Sequence, residues 1–340
     1  MSHPSLYQEL RTVSASVGRE PLLVQGGGGN SSVKALGRLL VKASGHWMAD
    51  AEDTDMFAVL DLQEAKTLAM AGAADFSPAV RGDTSLKPSI ETAMHALMPQ
   101  RCVLHAHPIG VIVRTLIGGA CGDIPVVPYT KPGQPLAEAL KALLDNAPVN
   151  TVILANHGII VGGKRPAIAE ARLRETCATL DLPARAFEMV SPDLPVLPGY
   201  AALDHPLATA LACDDTAVAA LTSGALVPDQ VVYLGGGGAL ARTVYSVPSV
   251  IAEFGETTGT LPGLIVLEGH GLYLREGLRG GAAALADMLV QIALRIPKGR
   301  QVVPLTPADE AELRNWDAEA HRKIVDASRK ARPLAKDIAV

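Results

Sequence analysis

The chain has 340 residues, of which 48% are apolar, well above the composition that stays disordered and enough for one large domain or two ordinary ones. A formal net charge of -5 with no block of Lys or Arg argues against a nucleic-acid partner, and no apolar run approaches the ~20 residues of a membrane span. Cys102, Cys121, Cys177 and Cys213 lie far apart and form no C-x-x-C pair. Together with an N-terminus that lacks a signal pattern, this argues against a disulfide framework or a thiolate zinc knuckle and points to a reducing cytoplasm.

Along the chain, residues 5–18 carry Leu6, Leu10, Val13 and Val17 at helical spacing and are predicted as an amphipathic helix. Strands are expected at 21–24, 39–42 and 56–61, with a glycine-rich loop over Gly26–Ser32 after the first. A helix is expected over 88–98, then a strand at Cys102–His107 closed by Pro108. Thr151–Ala155 and Ile159–Val161 read as strands flanking Asn156-His157-Gly158, followed by a helix over about 166–180. Several strands follow one another with no helix between them, so the expected fold is α/β with a mixed, mostly antiparallel sheet and helices on its faces.

The Pro-rich stretch 181–210 reads as a boundary between a first unit, 1–200, and a smaller C-terminal α/β unit, 201–340. In the second unit, Gln230–Leu234 and Leu264–Leu267 read as strands and about 279–295 as a helix. Thr306-Pro307-Ala308-Asp309-Glu310 makes a strong start for a tail helix running to about Ser328. Ile265–Leu274 with its helix resembles Val152–Val161 with its own, the pattern of a degenerate partial duplication. In such a copy His270 takes the place of His157. With no H-x-H nearby the copy is expected to be metal-free, because a zinc site needs three or four protein ligands.

The sharpest chemical feature is His105-Ala106-His107. On a strand both imidazoles point to one face, where together they can bind a divalent metal. His157, at another strand end and followed by glycine, is the candidate third ligand, which leaves a coordination position open for substrate. Glu91, expected in the first turn of a helix capped by Ser89, is the candidate general acid/base. His95, one turn on, either orients Glu91 or packs in the core. The Gly26–Ser32 loop can offer N–H groups to an anion, with Asn30 and Ser32 adding side chains, but it matches neither the P-loop nor the Rossmann pattern.

In order, Gly28-Gly29-Asn30-Ser31-Ser32-Val33-Lys34, Lys42-Ala43-Ser44-Gly45, Pro88-Ser89-Ile90-Glu91, His105-Ala106-His107-Pro108, Pro128-Tyr129-Thr130-Lys131-Pro132-Gly133 and Asn156-His157-Gly158 resemble the class II aldolase/adducin family. The nearest flavour is the aldolase part of bifunctional rhamnulose-phosphate aldolase/alcohol dehydrogenases. The resemblance covers roughly residues 5–185 and implies an α/β/α sandwich, one zinc on His105, His107 and His157, and catalysis by Glu91. It also implies that Gly29, Asn30, Ser44, Gly45 and Ser89 hold a substrate phosphate, and that the protein is a cytoplasmic homo-oligomer acting on a small sugar or keto acid. There are departures from the family pattern. Ile90 stands where fuculose-phosphate aldolase has a second serine, the stretch after His107 lacks a catalytic tyrosine segment, and no dehydrogenase fingerprint follows residue 200.

The activity expected from these residues is aldol cleavage or formation through a metal-stabilised enediolate, in a surface cleft. The alternatives are decarboxylation or epimerisation at the same centre, or a non-catalytic assembly module of the adducin type. A cupin-like site is disfavoured because no glutamate follows the H-x-H within a few residues.

Overall fold

Glycines in turns and prolines at several helix starts divide the chain into short strands and helices, whose arrangement a computed structural model describes for residues 3–82, 84–146, 149–190, 194–314, 316 and 324–326. Helix α1 (His3–Gly18) precedes β1 (Asn30–Ala35), β2 (Arg38–Lys42), β3 (Phe57–Asp61) and α2 (Leu62–Met70). Then come α3 (Thr92–Leu97), β4 (Cys102–Ala106), α4 (Ile109–Leu116), β5 (Val126–Val127), α5 (Gln134–Asn146), β6 (Thr151–Leu154), β7 (Gly158–Gly163) and α6 (Pro166–Leu180). These strands form one seven-stranded sheet in the order β3-β2-β1-β4-β7-β6-β5. Every neighbouring pair is antiparallel except β5 with β6. The α/β fold with a mixed, mostly antiparallel sheet is therefore as the sequence implied.

The second part holds β8 (Tyr200–Ala202), α7 (Ala208–Ala212), α8 (Asp215–Thr222), α9 (Pro228–Leu234), β9 (Ala239–Ala241), α10 (Val247–Thr258), β10 (Leu264–Leu267), β11 (Gly271–Arg275), α11 (Ala282–Arg295) and α12 (Pro307–Arg314). Its four-stranded sheet has the order β8-β11-β10-β9, the same arrangement as β4-β7-β6-β5. The registers correspond as well. Leu267 pairs with Gly271 as Leu154 pairs with Gly158, and β9 runs parallel to β10 as β5 does to β6. The turns match too, since the His270 N–H donates to the Leu267 carbonyl at 3.0 Å and the His157 N–H to the Leu154 carbonyl at 3.1 Å. Ala202 stands opposite Tyr273 at the place where His105 stands opposite Ile160.

Several local expectations are corrected. Residues 21–24 form turns and irregular backbone, and the strand begins after the glycines, at Asn30. The helix expected over 88–98 is shortened to α3 and leaves Glu91 just before it. The 230–234 segment is the helix α9, started by Pro228 and ended by Gly235 in the left-handed conformation. In 181–210 the chain already enters β8 and α7. Helix α12 ends at Arg314, and much of the further tail helix expected to Ser328 lies outside the described residues. The Thr306 hydroxyl accepts from the Asp309 N–H at 3.2 Å, and Asp309 Oδ2 accepts from the Thr306 N–H at 2.9 Å, a reciprocal cap of the capping-box kind.

The two parts share a core. Ile109, Ile112, Val113 and Leu116 of α4 cluster with Leu285, Leu289 and Ile292 of α11 and with Leu226 and Val232 around α9. The Val303 N–H donates to the Leu116 carbonyl at 2.8 Å. Asp326 accepts from the Gly281 N–H at 2.6 Å and from the Trp47 indole, which ties the far end of the chain to the first unit. Leu285 is fully buried in this shared core, so Leu285→Ala should cost about 2–5 kcal/mol. Both parts should then unfold together in one transition at lower urea. Two separate transitions, with the first unit unmoved, would contradict a shared core.

Candidate active site

Strand pairing assembles the site. β4 ends at Ala106, one residue short of the expected strand, and the alternation carried through its end puts His105 and the next residue but one, His107, on one side, while the β4–β7 register sets His105 opposite Ile160. The β6–β7 turn then brings His157 to the same place. Asn156 takes the left-handed conformation (φ 58°) in that turn. Gly158 is needed for close approach, since a Cβ there would lie 2.1 Å from the Ala106 carbonyl oxygen. The asparagine makes the bend, and the glycine lets β7 lie against β4.

The three imidazole centroids lie 4.8–5.0 Å apart, and one ligand nitrogen from each falls within 4.8 Å of the others. All three rings are buried. The expected surface cleft is therefore only a mouth, with the histidines at its floor. His105 Nδ1 lies 3.0 Å from the Ile159 carbonyl, to which it must donate, so its Nε2 carries the lone pair. His107 Nε2 is 3.0 Å from that nitrogen. Burial holds His157 in its neutral form, its pKa lowered to about 3 even beside the Glu91 carboxylate. Three buried imidazoles with converging nitrogens suit a divalent metal. Among the described residues no second such cluster occurs.

Glu91 joins this group. Its Oε1 is 3.3 Å from His157 Nε2 and 3.6 Å from His105 Nε2, and it is buried with no hydrogen-bond donor. A buried carboxylate oxygen with no donor is costly, and a cation between it and the imidazoles would remove that cost. Its other oxygen accepts a hydrogen bond from the Asn30 amide. The pairing of Asn30 with His105 across β1 and β4 fixes that contact. Asn30, expected on a substrate phosphate, is thus committed to Glu91, although it still lines the cleft. Ser89 accepts from the Glu91 N–H at 3.2 Å, one residue ahead of the helix it was expected to cap. His95 is fully buried and bonds Ser32 Oγ at 2.8 Å, so it packs in the core rather than orienting Glu91.

The cleft above is lined by Gly27, Gly28, Gly29, Ser44, Gly45 and Ser89, so the expected binding residues are brought together, with Ile90 and Pro132 at its side. Two further lining residues were missed. Lys42 is buried and donates to the His46 carbonyl at 2.6 Å and to that of Gly27 at 3.3 Å, bringing a positive charge to the glycine wall. Asp229 comes from α9 of the second part, with Oδ2 3.9 Å from His107 Nδ1. Val227-Pro228-Asp229 carried the signal of a helix start, but nothing in the sequence placed it beside His107.

Residues 8–180, just over half of the chain, match the Class II Aldolase and Adducin N-terminal domain, and the chain belongs to that family. Among solved structures it is similar to the N-terminal class II aldolase domain of a conserved protein from Thermoplasma acidophilum, with 25% identity and TM-score 0.46 over 52% of this chain and 93% of that one. It is similar to an L-fuculose 1-phosphate aldolase with 22% identity and TM-score 0.40 over 53% and 85%. A third is the sugar-phosphate aldolase of Thermotoga maritima, with 17% identity and TM-score 0.40 over 52% and 94%. A comparison with curated proteins gives no match. No helix among the described residues is long and apolar enough to cross a membrane.

Burial also holds His95 well below its ordinary pKa. A histidine kept neutral in the folded state takes up a proton only in the unfolded chain. Its stability contribution is full above pH ~6.5 and drains away as pH falls toward the folded value, by up to about 1.4 kcal/mol per pH unit per group. Urea denaturation of metal-free protein between pH 7.5 and 5 should show this loss. His95→Gln should flatten it, and an unchanged slope would place the acid sensitivity elsewhere.

Proposed function

We propose that this protein is a metal-dependent lyase that makes or breaks a carbon–carbon bond next to a carbonyl in a hydroxyketone or sugar, sugar phosphates being the first substrates to test. Glu91 carries this reading. It is a buried carboxylate with one oxygen toward two imidazoles and the other held by Asn30, at the floor of a cleft walled by glycine backbone, Ser44, Ser89 and Lys42. A zinc ion on His105, His107 and His157 would supply a Lewis acid for the enediolate that forms as the bond breaks.

Glu91 would take the proton from the substrate hydroxyl in cleavage and return it in condensation. Asn30 holds Oε2, leaving Oε1 as the proton-carrying atom. Gly29, Ser44, Gly45 and Ser89, with the Lys42 charge beside them, would hold the anionic end of the substrate. Ile90 removes one hydroxyl from that wall, which favours fewer phosphate contacts and brings free ketoses and keto acids into range. A decarboxylase or epimerase would use the same proton path, with a different group leaving.

The order of the motifs supports placing the chain beside the aldolase part of bifunctional rhamnulose-phosphate aldolase/alcohol dehydrogenases. We take residues 1–200 as the catalytic unit of a cytoplasmic homo-oligomer. The matched strand order and registers support reading 201–340 as a partial, degenerate copy. A purely structural module would have no physical use for a buried carboxylate set against three buried imidazoles.

A screen of zinc-loaded protein for aldol cleavage, decarboxylation and epimerisation across phosphorylated and free ketoses and keto acids tests the reaction class. Glu91→Gln should keep zinc and lose ~10²–10⁴-fold in turnover, because an amide cannot take the proton. His107→Ala should strip the metal. Full turnover in the first variant, or stoichiometric zinc by elemental analysis in the second, would overturn the corresponding assignment.

A further inference from the structure

His107 has two ring nitrogens with different surroundings. Nε2 faces His105 Nε2 at 3.0 Å, toward the centre of the cluster. Nδ1 faces outward, between the glycine loop and the second part of the chain. A Cβ on Gly28 would lie 2.8 Å from Nδ1, so the loop backbone lies flat against that edge of the ring. Asp229 Oδ2 faces the same nitrogen at 3.9 Å, an ion-pair distance longer than a hydrogen bond.

Asp229 is the second residue of α9 and is buried. An acid in a first helical turn is ordinarily a solvated group interacting with the helix dipole. Burial against an imidazole at the floor of a cleft is a different placement, and it is held from several sides. The fully buried Gln230 side chain accepts from the Leu226 N–H at 2.8 Å, fixing the turn that leads into α9. Val231 packs with Ala225, Leu305 and Leu313, and Val232 in the core shared with α4. Asn156, immediately before His157, donates from its amide to the Leu226 carbonyl at 3.3 Å and to the Val303 carbonyl at 2.8 Å. The segment that delivers Asp229 to His107 is thus also tied to the turn that carries His157.

We infer that Asp229 is a positioning residue of the metal centre, contributed by the C-terminal part, whose charge on the Nδ1 side of His107 favours, once a metal is bound, a proton on Nδ1 and the Nε2 lone pair toward the cluster. For His105 the Ile159 carbonyl does the same work. Carboxylates and carbonyls in this outer position fix the tautomer and orientation of a ligating imidazole and raise its basicity, and removing one typically weakens metal binding 10–100-fold. The inference rests on the metal reading of the three histidines. It makes the second part of the chain a component of the site as well as a covering for it.

The test is zinc affinity by competition with a chromogenic chelator, for the full-length wild type and Asp229→Asn, with thermal unfolding of both metal-free proteins alongside. The expected result is one zinc per wild-type chain, and 10–100-fold weaker binding in the variant with little change in metal-free melting temperature. Failure of the wild type to bind zinc would overturn the metal reading itself. Wild-type binding with equal affinity in the variant would overturn the role of Asp229 alone. The second variant, Asp229→Glu, keeps a carboxylate on that side of the ring and should bind zinc far more nearly like the wild type than Asp229→Asn does; a folded Asp229→Glu that loses the full 10–100-fold would overturn the inference.

Discussion

The antiparallel contact between β4 and β7 is the constraint on which the site depends. At its turn end the strands lie so close that residue 158 has no room for a Cβ beside the Ala106 carbonyl. That closeness lets one turn residue, His157, meet His105 in the strand and His107 just past its end, although they are about fifty positions apart in sequence. The same β4 pairs on its other edge with β1, so Asn30 stands beside His105 and reaches Glu91. Three chain segments are thereby fixed by backbone hydrogen bonds before any side chain is chosen. This rigidity suits a site whose geometry must hold to fractions of an ångström.

The side chains at this point are costly to the fold. Glu91 brings a carboxylate into a buried place, and one of its oxygens has no donor. Desolvating an ion costs several kcal/mol even after relaxation, and one amide from Asn30 offsets only part of it. His157 Nδ1 is likewise buried with no partner. The nearest imidazole, His157, cannot supply a positive charge without taking up a proton, which burial opposes. A divalent cation satisfies the carboxylate and the imidazole lone pairs together. Unpaired polar groups gathered in one place make functional sense as a ligand set and little sense as a structural core.

The legibility of the sequence follows from how local each signal is. The alternation of His105 and His107, the turn at His157 and the apolar strands around them are readable because each depends on a few neighbouring residues. Gln230–Leu234 was misread because a short apolar run fits a buried strand and a buried helix equally well. Pro228 at its start and Gly235 at its end were the arbiters, and they mark a helix. The first strand was placed before the glycines because Leu22-Leu23-Val24 is more apolar than Asn30-Ser31-Ser32, yet the polar run is the one that pairs between β2 and β4. Its hydroxyls are satisfied inside the fold, Ser31 by Ser14 at 2.6 Å and Ser32 by His95 at 2.8 Å, which no local pattern announces. Lys42 and Asp229 were invisible as site residues for the same reason: their importance lies in what tertiary contact places beside them.

Helix α4 shows why the second part is bound up with the first. It follows the H-x-H strand directly after Pro108 and is apolar nearly all round, with Ile109, Val111, Ile112, Val113 and Leu116 buried. A helix of that kind must be covered on more than one face. Val111 packs in the core of the seven-stranded sheet with Leu104 and Ile159. The remaining four pack against α11 and its neighbours in the second part. Without that covering, a row of large aliphatic side chains next to the histidine strand would face water, at roughly 1.5–3 kcal/mol each. The second sheet repeats the strand order of half of the first but carries Ala202 where the first carries His105. What the second part supplies to the first is cover. Its apolar face completes the burial of α4, and that docking sets α9 where Asp229 reaches His107.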